Sequence, residues 1–318
     1  MLKIADNLLQ ELIEEMKRQV DFKTNSKNFL DNMLNKKVKW DKKTKEYFEF
    51  LHKEKLIHNN SYKINIIDKR FINLFENEIK AINLNKYSLS LFQYHQGQVL
   101  ALKEASPTFN YLMGKNIGIM TENIKVPCIT YDGKPFCIMP IKEIMHVQKY
   151  DKPRGKILIV GIGTGCSAFY YDKNKDIEQI DIYEPNLVLR DIFSKSVCTY
   201  LSEKINVLEE VKTPWIYDKI FIYDEFLDKN FVDILYRQFY GNKKVKFSNE
   251  KTLKNNLKLE IFRQLVIFIG DTKTRSKDSD IGKNIYDYFE KNEVELNTLN
   301  DFICFIDDNF AEFIKKVA

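Results

Sequence analysis

Residues 156–171 run Lys-Ile-Leu-Ile-Val-Gly-Ile-Gly-Thr-Gly-Cys-Ser-Ala-Phe-Tyr-Tyr. Ile157 to Val160 is an unbroken apolar stretch, the pattern of a strand buried on both faces. It stops at Gly161, Gly163 and Gly165, and from Cys166 the sequence continues with helical character. Strand, glycine turn and helix in this order cradle a nucleotide. The glycines let backbone approach a ligand with no Cβ in the way, and the start of the helix presents unpaired N–H groups. Ile162 and Thr164, between the glycines, belong to the same cradle.

The next segment, Glu178 to Pro185, reads as a second strand that ends in Glu184, nineteen residues after Gly165. A carboxylate there can accept both hydroxyls of a ribose, and Pro185 lies beside it. Glycine spacing separates two cofactor classes. A dinucleotide turn puts its third glycine three residues after the second, and here that position is Cys166. The pattern at 161, 163 and 165 suits an S-adenosylmethionine-type nucleoside better than NAD. The bland alternative is a sheet that keeps the turn and binds no nucleotide.

Around this segment the composition is that of an ordinary packed protein. The chain has 318 residues, 44% hydrophobic and 30% charged, which excludes collagen-like and wholly disordered classes. A net charge of +5 argues against a dominant nucleic-acid footprint. Five scattered cysteines without a CxxC pair give no disulfide framework or zinc pattern, and four histidines without ligand spacing give no metal motif. No apolar run approaches membrane-spanning length, and acidic residues interrupt the apolar N-terminus, unlike a signal peptide. A cytoplasmic protein without membrane contact is the expectation.

Upstream, apolar residues from Leu2 to Val20 recur at helical spacing. Asn25 or Ser26 can cap a second helix through Leu34, and Asp41 a third carrying Tyr47, Phe48 and Leu51. Residues 56–66 read as two strands around an Asn-Asn-Ser turn, so residues 1–88 have the element order of a winged-helix module. Its lysines, from Lys36 to Lys55, alternate with Asp41, Glu46, Glu49 and Glu54, which favours a solvated face over a phosphate-binding one. Another helix is expected over 68–82, then a strand entering a helix within 88–106. A connector over 89–150 carries a hairpin at 126–139 with Gly133 at positive φ, and a short helix from Pro140 to Tyr150. Residues 151–248 form the nucleotide-type domain, with strands at 204–208, 217–224 and 245–247 and a helix at 231–239. A C-terminal extension over 249–318 has helices at 253–269, 281–289 and 299–317, the Leu-Val-Ile-Phe-Ile-Gly end of the first being equally readable as a strand.

The stretch ILIVGIGTG resembles the VLVIGGGDG turn of spermidine synthases, within the class I S-adenosylmethionine-dependent methyltransferase superfamily. Upstream, YDGKPFCIMPIKEIMHV is similar to the hairpin and helix that precede the turn in that family. The resemblance covers about residues 125–250 and implies a Rossmann-like sheet binding S-adenosylmethionine or its decarboxylated form, often in a homodimer. By the same resemblance Gly161, Gly163 and Gly165 are the cofactor loop and Glu184 the ribose acid. Glu209 or Glu210 is the nearest acid to the adenine position. Asp224, at the end of the fourth strand, stands where the family keeps a catalytic carboxylate.

One departure bears on chemistry. The family places two aspartates three apart after the fourth strand, to bind and deprotonate an amine. This chain has Asp224, Glu225 and Asp228, acidic at offsets of zero, one and four. Methyl transfer, which rests more on positioning, asks less of such side chains. The expectation is a transferase moving a methyl or aminoalkyl group to a small-molecule acceptor such as an amine, with Asp224 and Asp228 orienting the nucleophile. The alternative is a catalytically silent nucleoside sensor that binds a partner or nucleic acid. Glu143 with His146 and the cluster of Gln93, His95 and Gln98 rank lower, the latter as hydrogen-bonded scaffolding. Cys166 reads as packing rather than as a nucleophile.

Overall fold

The computed structural model describes residues 2–5, 7–33, 37–39, 41–53, 63–64, 68–103, 116–139, 152–211, 213–270, 288 and 291–316. The first part of the chain forms β1 (Leu2–Ile4), α1 (Leu8–Met33), α2 (Lys42–Lys53), β2 (Lys63–Ile64), α3 (Arg70–Asn77), β3 (Ile82–Leu84), β4 (Tyr87–Tyr94), β5 (Val99–Lys103), β6 (Asn116–Met120), β7 (Ile124–Tyr131) and β8 (Lys134–Ile138). The glycine-turn segment then forms β9 (Gly155–Val160) and α4 (Cys166–Asp172), followed by β10 (Ile177–Tyr183), α5 (Leu187–Lys195), β11 (Ile205–Leu208), β12 (Lys219–Ile222), α6 (Lys229–Phe239) and β13 (Val245–Phe247). Beyond them lie α7 (Glu250–Gly270), β14 (Val294–Leu296) and α8 (Leu299–Lys316).

Strands β9 to β13 make one parallel sheet in the order β11-β10-β9-β12-β13. The chain enters at the centre, winds to one edge, returns and winds to the other. That creates a switch point beside β9, where ligands of such sheets bind at the strand C-termini. This is a mixed α/β fold, compatible with the Rossmann-like architecture expected from the sequence. A four-stranded antiparallel sheet, β3-β4-β7-β8, and a smaller one, β2-β6-β5, precede it.

Alternation along β9 divides the interior in two, because successive side chains of a strand point to opposite faces. Ile157 and Ile159 join Ile180, Ile182 and Phe221 in a core closed by α3, β7, α4 and α5. Leu158 and Val160 join Ile220 and Ile222 in a second core, closed by Leu8 and Leu12 of α1, Tyr236 of α6, Phe262 and Leu265 of α7, and Phe302, Phe310 and Phe313 of α8. Burial on both faces is why β9 reads as a continuous apolar run.

Packing crosses the boundaries expected at 88 and 249. Strand β1 pairs in parallel with β14, Leu2 opposite Val294, and the Leu299 N–H donates to Glu11 Oε2 at 3.3 Å. Helix α1 therefore shares a core with the C-terminal helices, while α3 packs with the antiparallel sheet. Helix α1 also continues through Asn25 and Ser26, where two helices were expected. A cap is worth about 1 kcal/mol, too little to break a helix that gains a backbone bond at each added residue. Lys63–Ile64 pairs in parallel with Ile119–Met120, and the rest of the hairpin expected over 56–66 lies outside the described residues. The winged-helix order is thus not seen among the described residues.

The helix expected over 68–82 is confined to Arg70–Asn77; Ile82 onward turns at Asn85, with φ 55°, into the β3-β4 hairpin. Val99–Lys103 is a strand, because pairing with β6 overrides the helical preference of Ala-Leu-Lys. The hairpin of β7 and β8 forms as expected, with Asp132 and Gly133 both at positive φ. Leu265 to Gly270 is helix, not strand. The short helix expected at 140–150, with Glu143 and His146, lies outside the described residues, as does the one at 281–289 apart from Tyr288. No helix among the described residues is long and apolar enough to cross a membrane.

Candidate functional site

The site assembles at the C-terminal ends of β9, β10 and β12. At the end of β9 the Gly161 N–H donates to Tyr183 O at 3.0 Å, which carries the turn toward β10. Gly165 closes it, its N–H donating to Ile162 O at 2.9 Å while its own carbonyl accepts the Phe169 N–H of α4. Thr164 is 3% exposed, and its hydroxyl has no hydrogen-bond partner among the described residues.

Glu184 follows β10 and is 1% exposed. Its Oε2 accepts the Ile162 N–H at 2.9 Å and its Oε1 the Asn186 N–H at 3.0 Å. Burial pushes this carboxyl above the ordinary range, and the two N–H donors only partly offset that. The sequence-predicted ribose acid and glycine turn are therefore brought together. Pro185 is exposed beside them. Asn186 caps α5 by accepting the N–H groups of Val188 and Leu189, and its Nδ2 donates to the Tyr87 hydroxyl at 3.3 Å. Tyr87 packs against Tyr131 and Phe136, so the antiparallel sheet brings an aromatic cluster to the start of α5.

Of the remaining predicted residues, Glu209 follows β11 and the two aspartates flank the turn that follows β12. Glu209 is exposed beyond the end of β11, where Arg190 donates to the Leu208 carbonyl at 3.4 Å. Asp224 uses both oxygens on the segment entering α7. Oδ1 accepts the Ser248 hydroxyl and, at 2.9 Å, the Asn249 N–H, and Oδ2 accepts Asn249 Nδ2 at 3.1 Å. Asp228 is the N-cap of α6, accepting the N–H groups of Asn230 and Phe231 at 2.9 and 3.2 Å. Each aspartate has a scaffold role that its sequence position did not announce. Gln98 is buried and accepts the His95 N–H at 2.9 Å, the scaffolding role read for that cluster, and Cys166 is buried in the first core. Among the described residues no group of three His, Cys, Asp or Glu side chains could hold a metal ion.

Sequence reasoning missed Phe226. A Cβ built on Gly163, whose φ is +51°, would stand 2.5 Å from the Phe226 ring, and one on Gly161 would stand 2.9 Å from the Tyr223 carbonyl and 3.1 Å from Leu227. The turn from Asp224 to Phe226 thus lies directly over the glycines. An aromatic two residues past an acidic strand end was the available signal. Compared with known proteins, the chain matches no family model and no curated sequence.

Proposed function

We propose that this chain binds an adenosyl nucleoside at the turn after β9 and works as an S-adenosylmethionine-dependent transferase of the spermidine-synthase type, on a small-molecule acceptor. The observation that carries the reading is Glu184, a buried carboxylate at the end of the second strand held to the glycine turn by the Ile162 N–H. A carboxylate has about four lone-pair positions, so each Glu184 oxygen keeps capacity for a ribose hydroxyl beside the N–H it already accepts. The buried Thr164 hydroxyl, unpaired among the described residues, is a further polar group that a ligand would satisfy. In donor chemistry these residues fit S-adenosylmethionine or its decarboxylated form. When bound, that group supplies a sulfonium-activated carbon for attack by an acceptor lone pair.

Between the two transfers, the geometry supports methyl transfer better. Asp224 is engaged through both oxygens by Ser248 and Asn249 and Asp228 through Oδ1 by the start of α6, which favours a scaffold role for both over that of a base for an ammonium acceptor. Positioning alone can supply a large part of the barrier reduction for methyl transfer. Calorimetric titration with S-adenosylmethionine, decarboxylated S-adenosylmethionine, 5′-methylthioadenosine and NAD tests the reading. Binding of the adenosyl compounds and not NAD is expected, weakened several-fold or more by Glu184→Ala. Equal affinity of the variant overturns the assigned pocket.

A second reading, a nucleoside-sensing protein without turnover, draws on the same engaged aspartates and on the ring over Gly163. It predicts adenosyl binding with no methyl or aminoalkyl product from any amine acceptor.

A further inference from the structure

We infer that the Tyr223–Leu227 turn is a built-in stopper, with Phe226 filling the space over Gly163 that an adenosyl ligand must enter; the inference rests on the nucleoside reading of the site. Three observations carry it. First, the ring atoms Cε2, Cδ2 and Cζ of Phe226 come within 2.5 to 2.7 Å of the Cβ position of Gly163, so the room that glycine creates is taken by the chain itself. Second, Phe226 is only half-buried, its ring stacked on Tyr223 at 6.4 Å, and both rings pack at the rim of the first core and not inside it. Third, the turn is suspended between two anchors. Asp224 is bonded to Ser248 and Asn249 at one end, and Asp228 caps α6 at the other. Between them the backbone is held by Phe226 N–H to Tyr223 O at 3.1 Å and Leu227 N–H to Asp224 O at 3.3 Å.

This arrangement lets the middle of the turn swing out while its ends stay fixed. Local opening of that kind draws on segments with few backbone bonds and partly exposed apolar contacts. The closed form lowers apparent affinity by the fraction of molecules that are open. Removing the ring therefore strengthens binding, whereas a ring that contacts the ligand would weaken binding when lost.

The test has two arms on the full-length chain. Calorimetry with 5′-methylthioadenosine on the wild type, Phe226→Ala and Phe226→Leu is expected to give affinity on the order of tenfold tighter for Phe226→Ala, with Phe226→Leu between the two. Urea unfolding of Gly163→Ala, Phe226→Ala and the double variant is expected to be non-additive, since an added Cβ meets a ring in one background and open space in the other. The positive φ of Gly163 strains alanine equally in both backgrounds and cancels. Unchanged or weaker binding by both Phe226 variants, with the wild type binding, overturns the stopper and leaves the nucleoside reading standing. Additive unfolding energies overturn it as well. Coupled unfolding energies with no adenosyl binding by any variant end the nucleoside reading, and the stopper with it.

Discussion

The carboxylate of Glu184 accepts the backbone N–H of Ile162 at 2.9 Å, tying the end of β10 to the glycine turn that leaves the neighbouring strand β9. Its other oxygen holds the Asn186 N–H at the start of α5. One side chain thus fixes two backbone segments at the C-terminal edge of the sheet. Glu184→Ala leaves both donors without their acceptor, at a cost of about 1 to 3 kcal/mol in urea unfolding. A variant as stable as the wild type would show that the acid is not part of the scaffold.

The same residue sets a pH dependence. Burial raises its folded-state pKa above the ordinary value of 4.5. Its contribution to stability is therefore complete below that value and is lost as pH rises through the folded pKa. The destabilisation by Glu184→Ala is expected to be larger at pH 4 than at pH 7. A penalty that grows with pH would mean that the N–H bonds outweigh burial.

Asp228 offers a separation of scaffold from chemistry. Its Oδ1 caps α6, so Asp228→Ala should lose about 1 kcal/mol in thermal or urea unfolding, and Asp228→Asn should recover most of it. Adenosyl binding should be unaffected in the asparagine variant. A loss of binding in Asp228→Asn with stability retained would return this residue to the site.

Asp181, 4% exposed, accepts the Tyr217 hydroxyl at 2.7 Å, Gln179 Nε2 at 2.8 Å and Asn206 Nδ2 at 2.9 Å. These bonds stitch β10 to β11 and to Tyr217, two residues before β12. Tyr217→Phe removes a hydrogen bond to a buried carboxylate while keeping the ring, and should cost about 1.5 to 3 kcal/mol. Chemical denaturation measures it, and a cost near zero would mean that water replaces the hydroxyl.

Phe302 packs edge-on against Phe262, and Phe310 against Tyr240, at centroid distances of 5.4 and 5.3 Å. Phe302→Ala should cost about 3 to 5 kcal/mol. Because α8 shares its core with β9 and β12, the loss should shift a single unfolding transition monitored by near-ultraviolet circular dichroism. Separate melting of the C-terminal helices, with the sheet unchanged, would contradict that shared core.

Local chemistry made much of the parallel sheet readable. The strands near 156, 178, 204, 219 and 245 were legible because apolar β-branched runs between polar breaks carry their own signal. The Asp132-Gly133 hairpin was legible for a similar reason, since both residues tolerate positive φ. The single continuous α1, the strand at Val99–Lys103 and the β3-β4 hairpin at Asn85 were not, because in each case local preference was weak beside a pairing or a continuing hydrogen-bond ladder.

The candidate site divides along the same line. Sequence by itself determined the strand, the three glycines and an acid ending the next strand, since these follow from residue type and short-range spacing. Only the tertiary structure decided that β1 pairs with β14, that Asp224 and Asp228 hold neighbouring segments, and that Phe226 covers Gly163. Those relationships depend on which strand ends become neighbours once both faces of β9 are buried, and the neighbours come from parts of the chain too far apart for any local pattern to connect them.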